Sequence, residues 1–376
     1  MASITKRGKT WQYSISRYID GKPKPLRKGG FRTKKECVDE AFYVEEELRR
    51  GFVRKRTDIS LAAYFGEWLE VYHSHQHRTT YERYKNTYMN LEKYFGNKPL
   101  QSITKREYQQ FLYELGKSWA RSTVKKLNMH VRDCVRDAID EGYIRVDFTR
   151  KSDIKIGTLP KRSEEKHISY TDSTRLLSYL SSLENMRPVH YVLLLALTSG
   201  MRYGELMGLT RGDFDFEKNI ITVNKTWDYK RGTGFGLTKN PQSNRILTMD
   251  SMTMQLFKAL FEILPPNSED LIFFSATSKM SVLSNEGANK ELKIILIKLQ
   301  INPIITVHGL RHTHASILLY RRRSIYYVSE RLGHSDIQTT HNTYAHVNKE
   351  LRKEDADYTA EMFSAMLQTS LKPTSI

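Results

Sequence analysis

The apolar pattern of this chain changes period at a charged seam, and that change limits what it can fold into. Trp11, Tyr13 and Ile15 alternate with Gln12, Ser14 and Ser16. Strand side chains point to opposite faces in turn, so this alternation reads as a half-buried strand. Past the seam, Leu61, Tyr64, Phe65, Trp68, Leu69 and Tyr72 fall at helical spacing behind Ser60, a candidate N-cap. The seam itself carries Arg49, Arg50, Arg54, Lys55 and Arg56. Two periods on either side of a charged stretch imply separate cores. With 376 residues the chain also exceeds the usual span of one core, so two or three domains are expected.

In the first piece, Asp20-Gly21 is a hairpin-turn signal and Gly29-Gly30 is expected to break the following strand. Thr33 and Glu36 have capping-box spacing for a helix to about Arg50, and Trp11, Tyr13, Phe31, Ala41 and Tyr43 are expected to pack together. The second piece reads as all-α, with further helices over 81–95, 104–115 (again capping-box spacing, Thr104 to Glu107) and 122–141. The run 150–166, with Gly157 and Pro160, reads as an extended linker before a helix near Thr171. The third piece has an apolar helix over 189–197, strand candidates at 220–223, 245–249 and 271–274, and helices to the end. The expected class is multidomain α+β: a small sheet plus helix, then an all-α domain, then a mostly α domain with a small antiparallel sheet. The expected boundaries are 1–55, 56–155 and 165–376.

Sixty Lys and Arg against 42 Asp and Glu give a net charge of +18, which argues for a polyanionic partner, DNA or RNA first. The excess is strongest before residue 36, where Asp20 is the sole acid. A β-ribbon is narrow enough for the DNA major groove, which makes Arg17, Arg27 and Lys28 candidate contacts. Arg78, Arg83, Arg121 and Lys125 lie near predicted helix N-termini, where backbone donors favour phosphate. The competing reading of all seven is a solvated basic surface. Cys37 and Cys134 are too few for a disulfide framework and suit a reducing compartment. No signal-peptide core and no run of about 18 apolar residues occurs, so no membrane role and a location in the cytoplasm or on the nucleoid are expected.

Cleaving a phosphodiester by in-line attack needs a clamp on the non-bridging oxygens, a nucleophile and a proton for the leaving oxygen. Arg202 and Arg311 have the forked geometry for the clamp, so no divalent metal or other cofactor is required. Arg202 follows Gly200 at the end of an apolar helix, a position expected to expose the guanidinium, and Glu205 could orient it or serve as a helix-start carboxylate. His308 and Arg311 stand three apart, hence on one helix face. His312 and His314 raise the rival idea of a zinc site, which lacks acidic or cysteine partners. Lys239, on an expected hairpin turn, could protonate a leaving 5′ oxygen, with Lys225 and Lys230 as alternatives. Tyr344, ten residues after His334 on a late helix, could form a covalent phosphotyrosine, although most of 22 tyrosines must simply pack.

In order and spacing, Arg202, Lys239, His308-Gly309-Leu310-Arg311, Leu332-Gly333-His334 and Tyr344 resemble the tyrosine recombinases of the lambda-integrase family, in particular phage and conjugative-element integrases. The resemblance spans the chain and shows no departure at the six catalytic positions. It implies an AP2-like, three-stranded arm-binding domain at the N-terminus and a helical core-binding domain over about 59–150. It further implies a homotetramer on synapsed arm and core DNA sites, strand exchange through a Holliday junction, and a possible excisionase or DNA-bending host protein as partner. The apolar spacing of Tyr358, Met362, Phe363, Met366 and Leu367 suits a tail that docks on the next protomer or packs on its own domain. Two other readings stay open: a type IB topoisomerase, which would relax DNA of any sequence, and a DNA-binding regulator whose arginines only grip phosphate.

Overall fold

The computed structural model describes residues 2–16, 18–19, 22–49, 59–155, 157–159 and 162–370. The Asp20-Gly21 turn, Arg17 and the seam residues Arg50, Arg54, Lys55 and Arg56 lie outside them. The chain divides into two compact units, Met1–Pro160 and Lys161–Ile376.

Unit one opens with β1 (Ser3–Arg7) and β2 (Thr10–Ile15), a short hairpin β3 (Tyr18–Ile19) and β4 (Lys22–Pro23), then β5 (Leu26–Phe31) and α1 (Lys34–Arg49). The first, second and fifth strands form an antiparallel sheet in the order β1-β2-β5. The alternation of β2 sends Tyr13 and Ile15 into a core with Cys37, Ala41 and Val44 of α1. Tyr43, expected in that core, is instead 66% exposed. Cys37, Ala41 and Val44 are spaced four and three apart and hold the buried stripe, which turns Tyr43 outward. Gly29-Gly30 does not break β5 either. Gly30 takes φ +97°, and the register shifts between Trp11 and Gln12, so the glycine absorbs a bulge within the strand.

A second core in this unit is built from α2 (Leu61–His73), α3 (Arg78–Phe95), α4 (Lys105–Ser118) and α5 (Arg121–Asp140). Ser60 caps α2 by accepting from Ala63 N–H, and Thr104 with Glu107 forms a reciprocal capping box on α4. Helix α3 starts three residues before the expected 81 because the His77 side chain accepts from Thr79 N–H and caps it earlier. The run 150–166 is not extended throughout. Thr158 exchanges backbone hydrogen bonds with Trp119 and Arg121, and Ser163–Lys166 forms a 3-10 turn.

Unit two follows as α6 (Tyr170–Ser181), α7 (Pro188–Ser199), α8 (Tyr203–Met207), β6 (Phe214–Asp215), β7 (Ile220–Val223), β8 (Thr226–Trp227), β9 (Phe235–Gly236), β10 (Arg245–Thr248), α9 (Ser251–Ile263), α10 (Asn285–Lys298), α11 (Val307–Tyr320), α12 (Ile325–Leu332) and α13 (Ile337–Ser370). Helix α7 is buried nearly all round and packs on α11, the central pair of this unit. A small antiparallel sheet, β10-β7-β6, lies beside a separate β8-β9 hairpin. The expected strand at 271–274 is absent. Leu271, Ile272 and Phe273 are core residues, and the pairing in this run is two isolated bridges, Thr210 to Leu271 and Phe274 to Val282, rather than a ladder. A short apolar run signals burial, and periodicity does not distinguish a ladder strand from a packed loop.

Candidate active site

Helix α12 ends at Gly333, whose φ of +65° closes the helix in the left-handed conformation. The last carbonyls of a helix have no partner within it. Here three guanidinium groups supply one each. Arg245 Nε donates to the Arg331 carbonyl at 2.7 Å, Arg311 Nη2 to Leu332 at 2.8 Å and Arg202 Nη2 to Gly333 at 2.8 Å. Arg311 also donates through Nη1 to the Gly200 carbonyl at 2.8 Å, the residue that ends α7 at φ +69°. Two helix ends are thus tied together by one buried side chain.

Glu205 compensates this positive charge. Its Oε1 accepts from Arg202 Nη1 at 2.6 Å, and its Oε2 accepts from Arg245 Nη2 at 2.9 Å and from Arg202 N–H at 2.9 Å. The carboxylate is 1% exposed. Burial would raise its pKa, but the charge and hydrogen bond of Arg245, with Arg202 and Arg311 behind, hold it below the ordinary value. Burial and the charge of Arg202 pull Arg311 down to about 9. Arg202, expected to be exposed, is only partly so, because Glu205, Gly333 and Ser243 all hold it. Each guanidinium has five donors, so both Arg202 and Arg311 keep N–H groups free of these bonds.

Helix α11 presents His308 and His312 one turn apart, with ring centroids 4.8 Å from each other. His312 Nδ1 lies 3.0 Å from Tyr344 Oη on α13. Burial, then the neighbouring His308 and Arg311, push the His312 pKa down to about 3, so this ring is neutral at working pH. Tyr344 is 2% exposed, and burial raises its phenol pKa against the opposing pull of Arg311. His334 Nδ1 bonds Thr340 Oγ1 at 2.7 Å, and burial with three arginines lowers its pKa to about 4. His308 is lowered too, by lost hydration and by Arg311 and Arg202.

Five of the six sequence-chosen residues therefore stand on the elements that meet at the end of α12. The sixth, Lys239, is exposed and lies after β9. It is not at the hairpin turn, which spans 228–234 and carries Lys230 and Arg231 instead. Of the alternatives, Lys225 is engaged by Asp213 at 2.5 Å. Arg245, Ser243 and the Tyr344 partnership of His312 escaped sequence reading. Arg245 had a signal: it alternates with buried Leu247 on β10, and period two sends both inward.

His314 serves structure. Its Nδ1–H donates to the Leu197 carbonyl at 2.8 Å and its Nε2 accepts from Arg331 Nε at 3.0 Å. Burial and Arg331 lower its pKa to about 3 from 6.5. Between these values the unfolded chain binds the extra proton. This group's stabilisation is therefore complete above 6.5 and lost as pH falls towards 3, at up to about 1.4 kcal/mol per pH unit. Urea titrations from pH 7 to 4.5 should show that slope, shallower in His314→Asn; equal slopes would remove this role. At Gly333 a Cβ would lie 2.9 Å from Ser243 Cα and 3.0 Å from Arg245 Nη1. Gly333→Ala should cost about 1–3 kcal/mol from left-handed strain and this crowding. An unchanged urea midpoint would contradict that.

Among the candidate DNA contacts, Arg27, Arg78, Arg83 and Lys125 are exposed. Lys28 Nζ bonds Glu40 of α1 at 2.7 Å, so it faces the helix side of the sheet. Arg121 Nε donates to the Ile154 carbonyl at 2.6 Å and is partly committed to holding that segment. Among the described residues no helix is long and apolar enough to cross a membrane.

Comparison with known proteins agrees with this architecture. Residues 168–351 match the phage integrase family, 60–116 the phage integrase N-terminal SAM-like domain and 2–48 an arm DNA-binding domain. The integrase of Staphylococcus phage L54a is 27% identical over 349 residues, covering 83% of this chain and 97% of the relative. A XerC-like tyrosine recombinase of Caldanaerobacter subterraneus is 28% identical over 377 residues, covering 92% and 94%. In fold, the chain is similar to the Tn1549 transposon integrase in complex with transposon right end DNA (TM-score 0.67, 19% identity, 80% of this chain and 100% of that one). It is also similar to a lambda integrase dimer bound to a core site (TM-score 0.58, 16% identity, 91% and 93%). With matches along nearly its whole length and an arginine-rich site closed by a tyrosine, the chain belongs to the phage integrase family and is a tyrosine recombinase, an enzyme that cleaves and rejoins DNA.

Proposed function

We propose that Tyr344 Oη attacks a DNA phosphodiester, forming a 3′-phosphotyrosyl bond and releasing a 5′ hydroxyl. Arg202 and Arg311 hold the non-bridging oxygens through their remaining donors, and neutral His308 and His334 each donate one ring N–H. Lys239 gives a proton to the leaving 5′ oxygen, and His312 Nδ1, the hydrogen-bond partner of the phenol, takes the proton that Tyr344 Oη loses as its bond to phosphorus forms. The observation that carries this reading is the meeting at one helix end of two anchored guanidiniums, 2.8 Å from the consecutive carbonyls of Leu332 and Gly333, with the tyrosine of the next helix. The phosphotyrosyl bond conserves the energy of the cleaved one, so a second strand can reseal it without an external energy source.

The N-terminal sheet (within 1–55) binds arm sites, the helical domain (56–155) and the catalytic domain (165–376) bind the core site, and the reaction integrates and excises a mobile element. Tyr358 and Phe363 on the last turns of α13 are 69% and 54% exposed, a surface suited to burial against another copy in a tetramer. An excisionase or a DNA-bending host protein sets direction, and the reaction takes place in the host cytoplasm. The test starts from sequencing the junctions formed when the chain is expressed beside its flanking DNA. A duplex of that site, nicked to trap cleavage, should give a denaturant-stable adduct whose peptide map places a 3′ phosphate on Tyr344. Attachment at another residue, or through a 5′ phosphate, overturns the assignment.

A further inference from the structure

The register of the N-terminal sheet separates two faces of different chemistry. Paired residues share a face, so Trp11, Tyr13, Lys28 and Phe31 lie on the side covered by α1. The opposite side presents Ser3, Thr5, Gln12, Ser14, Arg27 and Gly29. That free face bears hydrogen-bonding groups, and across its middle runs the row Thr5, Gln12, Gly29.

Gln12 is the one amide side chain in that row, and it is held. Its Nε2 donates to Thr5 Oγ1 at 3.0 Å, which fixes the amide plane and uses one of its two N–H groups. Among the described residues no hydrogen bond takes the second N–H or the Oε1 acceptor. On its other flank is Gly29, where a Cβ would lie 3.2 Å from Gln12 Cβ. The glycine gives Gln12 its room and leaves that side of the row low enough for a base edge to come close. A preorganised donor and acceptor on one amide match adenine N7 and N6–H₂ in the major groove, and Arg27, exposed one row away, has the fork that matches guanine O6 and N7.

We propose that Gln12, oriented by Thr5, reads an adenine in the major groove, while Arg27 of the same face reads a guanine or grips phosphate. The proposal rests on the reading that the N-terminal sheet binds DNA, and it adds which residue confers base choice there.

The test is selection of a randomised duplex library by the full-length protein, with sequencing of the enriched DNA. Wild type should enrich a motif containing an adenine that Gln12→Ala accepts in any form, a loss of preference on the order of 5- to 150-fold at that one position. Gln12→Glu should move the same position towards cytosine, whose N4–H₂ a carboxylate accepts. Because Gln12 lies on the free face, urea midpoints of both variants should match wild type. If Arg27→Ala weakens a motif that Gln12→Ala leaves unaltered, the proposal is wrong and arm binding stands. If Gln12→Ala weakens binding equally for all bases, Gln12 is a phosphate contact and the proposal is wrong. If no motif responds to Gln12→Ala, Arg27→Ala or Arg7→Ala, the arm-binding reading fails with it.

Discussion

Tyr344→Phe is expected to abolish the covalent adduct, lowering strand cleavage by at least about four orders of magnitude, as removal of a nucleophile does elsewhere. Its structural cost should be small. The ring stays in the same buried site, and only the 3.0 Å hydrogen bond to His312 is lost, worth about 0.5–1.5 kcal/mol. Gel shifts should give a DNA affinity within about twofold of wild type, since a phenol buried at 2% exposure contributes little to binding charged DNA. Trapping on a nicked site separates the two effects. Adduct at the wild-type level in Tyr344→Phe would end the assignment of the nucleophile.

The second large effect is expected at Glu205, which touches no substrate in the proposed mechanism. Glu205→Ala removes the carboxylate between Arg202 and Arg245 and leaves their charges, with that of Arg311 close by, without compensation in a buried site. Breaking a buried pair from one side costs about 3–5 kcal/mol. The loss should appear in urea unfolding. Cleavage at saturating DNA should fall as well, because Arg202 loses the partner that fixes its Nη1. Glu205→Gln keeps the shape and one acceptor, so it should recover part of the stability. If Glu205→Ala unfolds within about 0.5 kcal/mol of wild type, the carboxylate is not what holds the arginines together.

Sequence reading succeeded where a local rule governs. Ser60, Thr104 and Glu107 cap helices where their spacing predicts, and the alternation at Trp11 to Ile15 gives the buried face of β2. It failed where the deciding partner is distant along the chain. Gly29-Gly30 looked like a strand end, but pairing with β2 keeps the strand running through a bulge. The apolar run at 271–274 is core, and nothing within four residues tells whether a ladder partner exists.

For the site, residue types, their order along the chain and the family resemblance they carry offered two arginines, two histidines, a lysine and a tyrosine as candidates. What the sequence could not contain is the scaffold. That Arg202, Arg245 and Arg311 cap three successive carbonyls of one helix end, and that Glu205, locally within reach of Arg202, also holds Arg245, depends on contacts spanning 21 to 131 residues of chain. The same holds for His312, which sequence reading weighed only as a metal ligand and which the packing of α11 on α13 sets against Tyr344. Local chemistry fixed which groups are present. Tertiary packing alone decided which are buried, neutral and within reach of one another, since burial and charge proximity are properties of the folded arrangement.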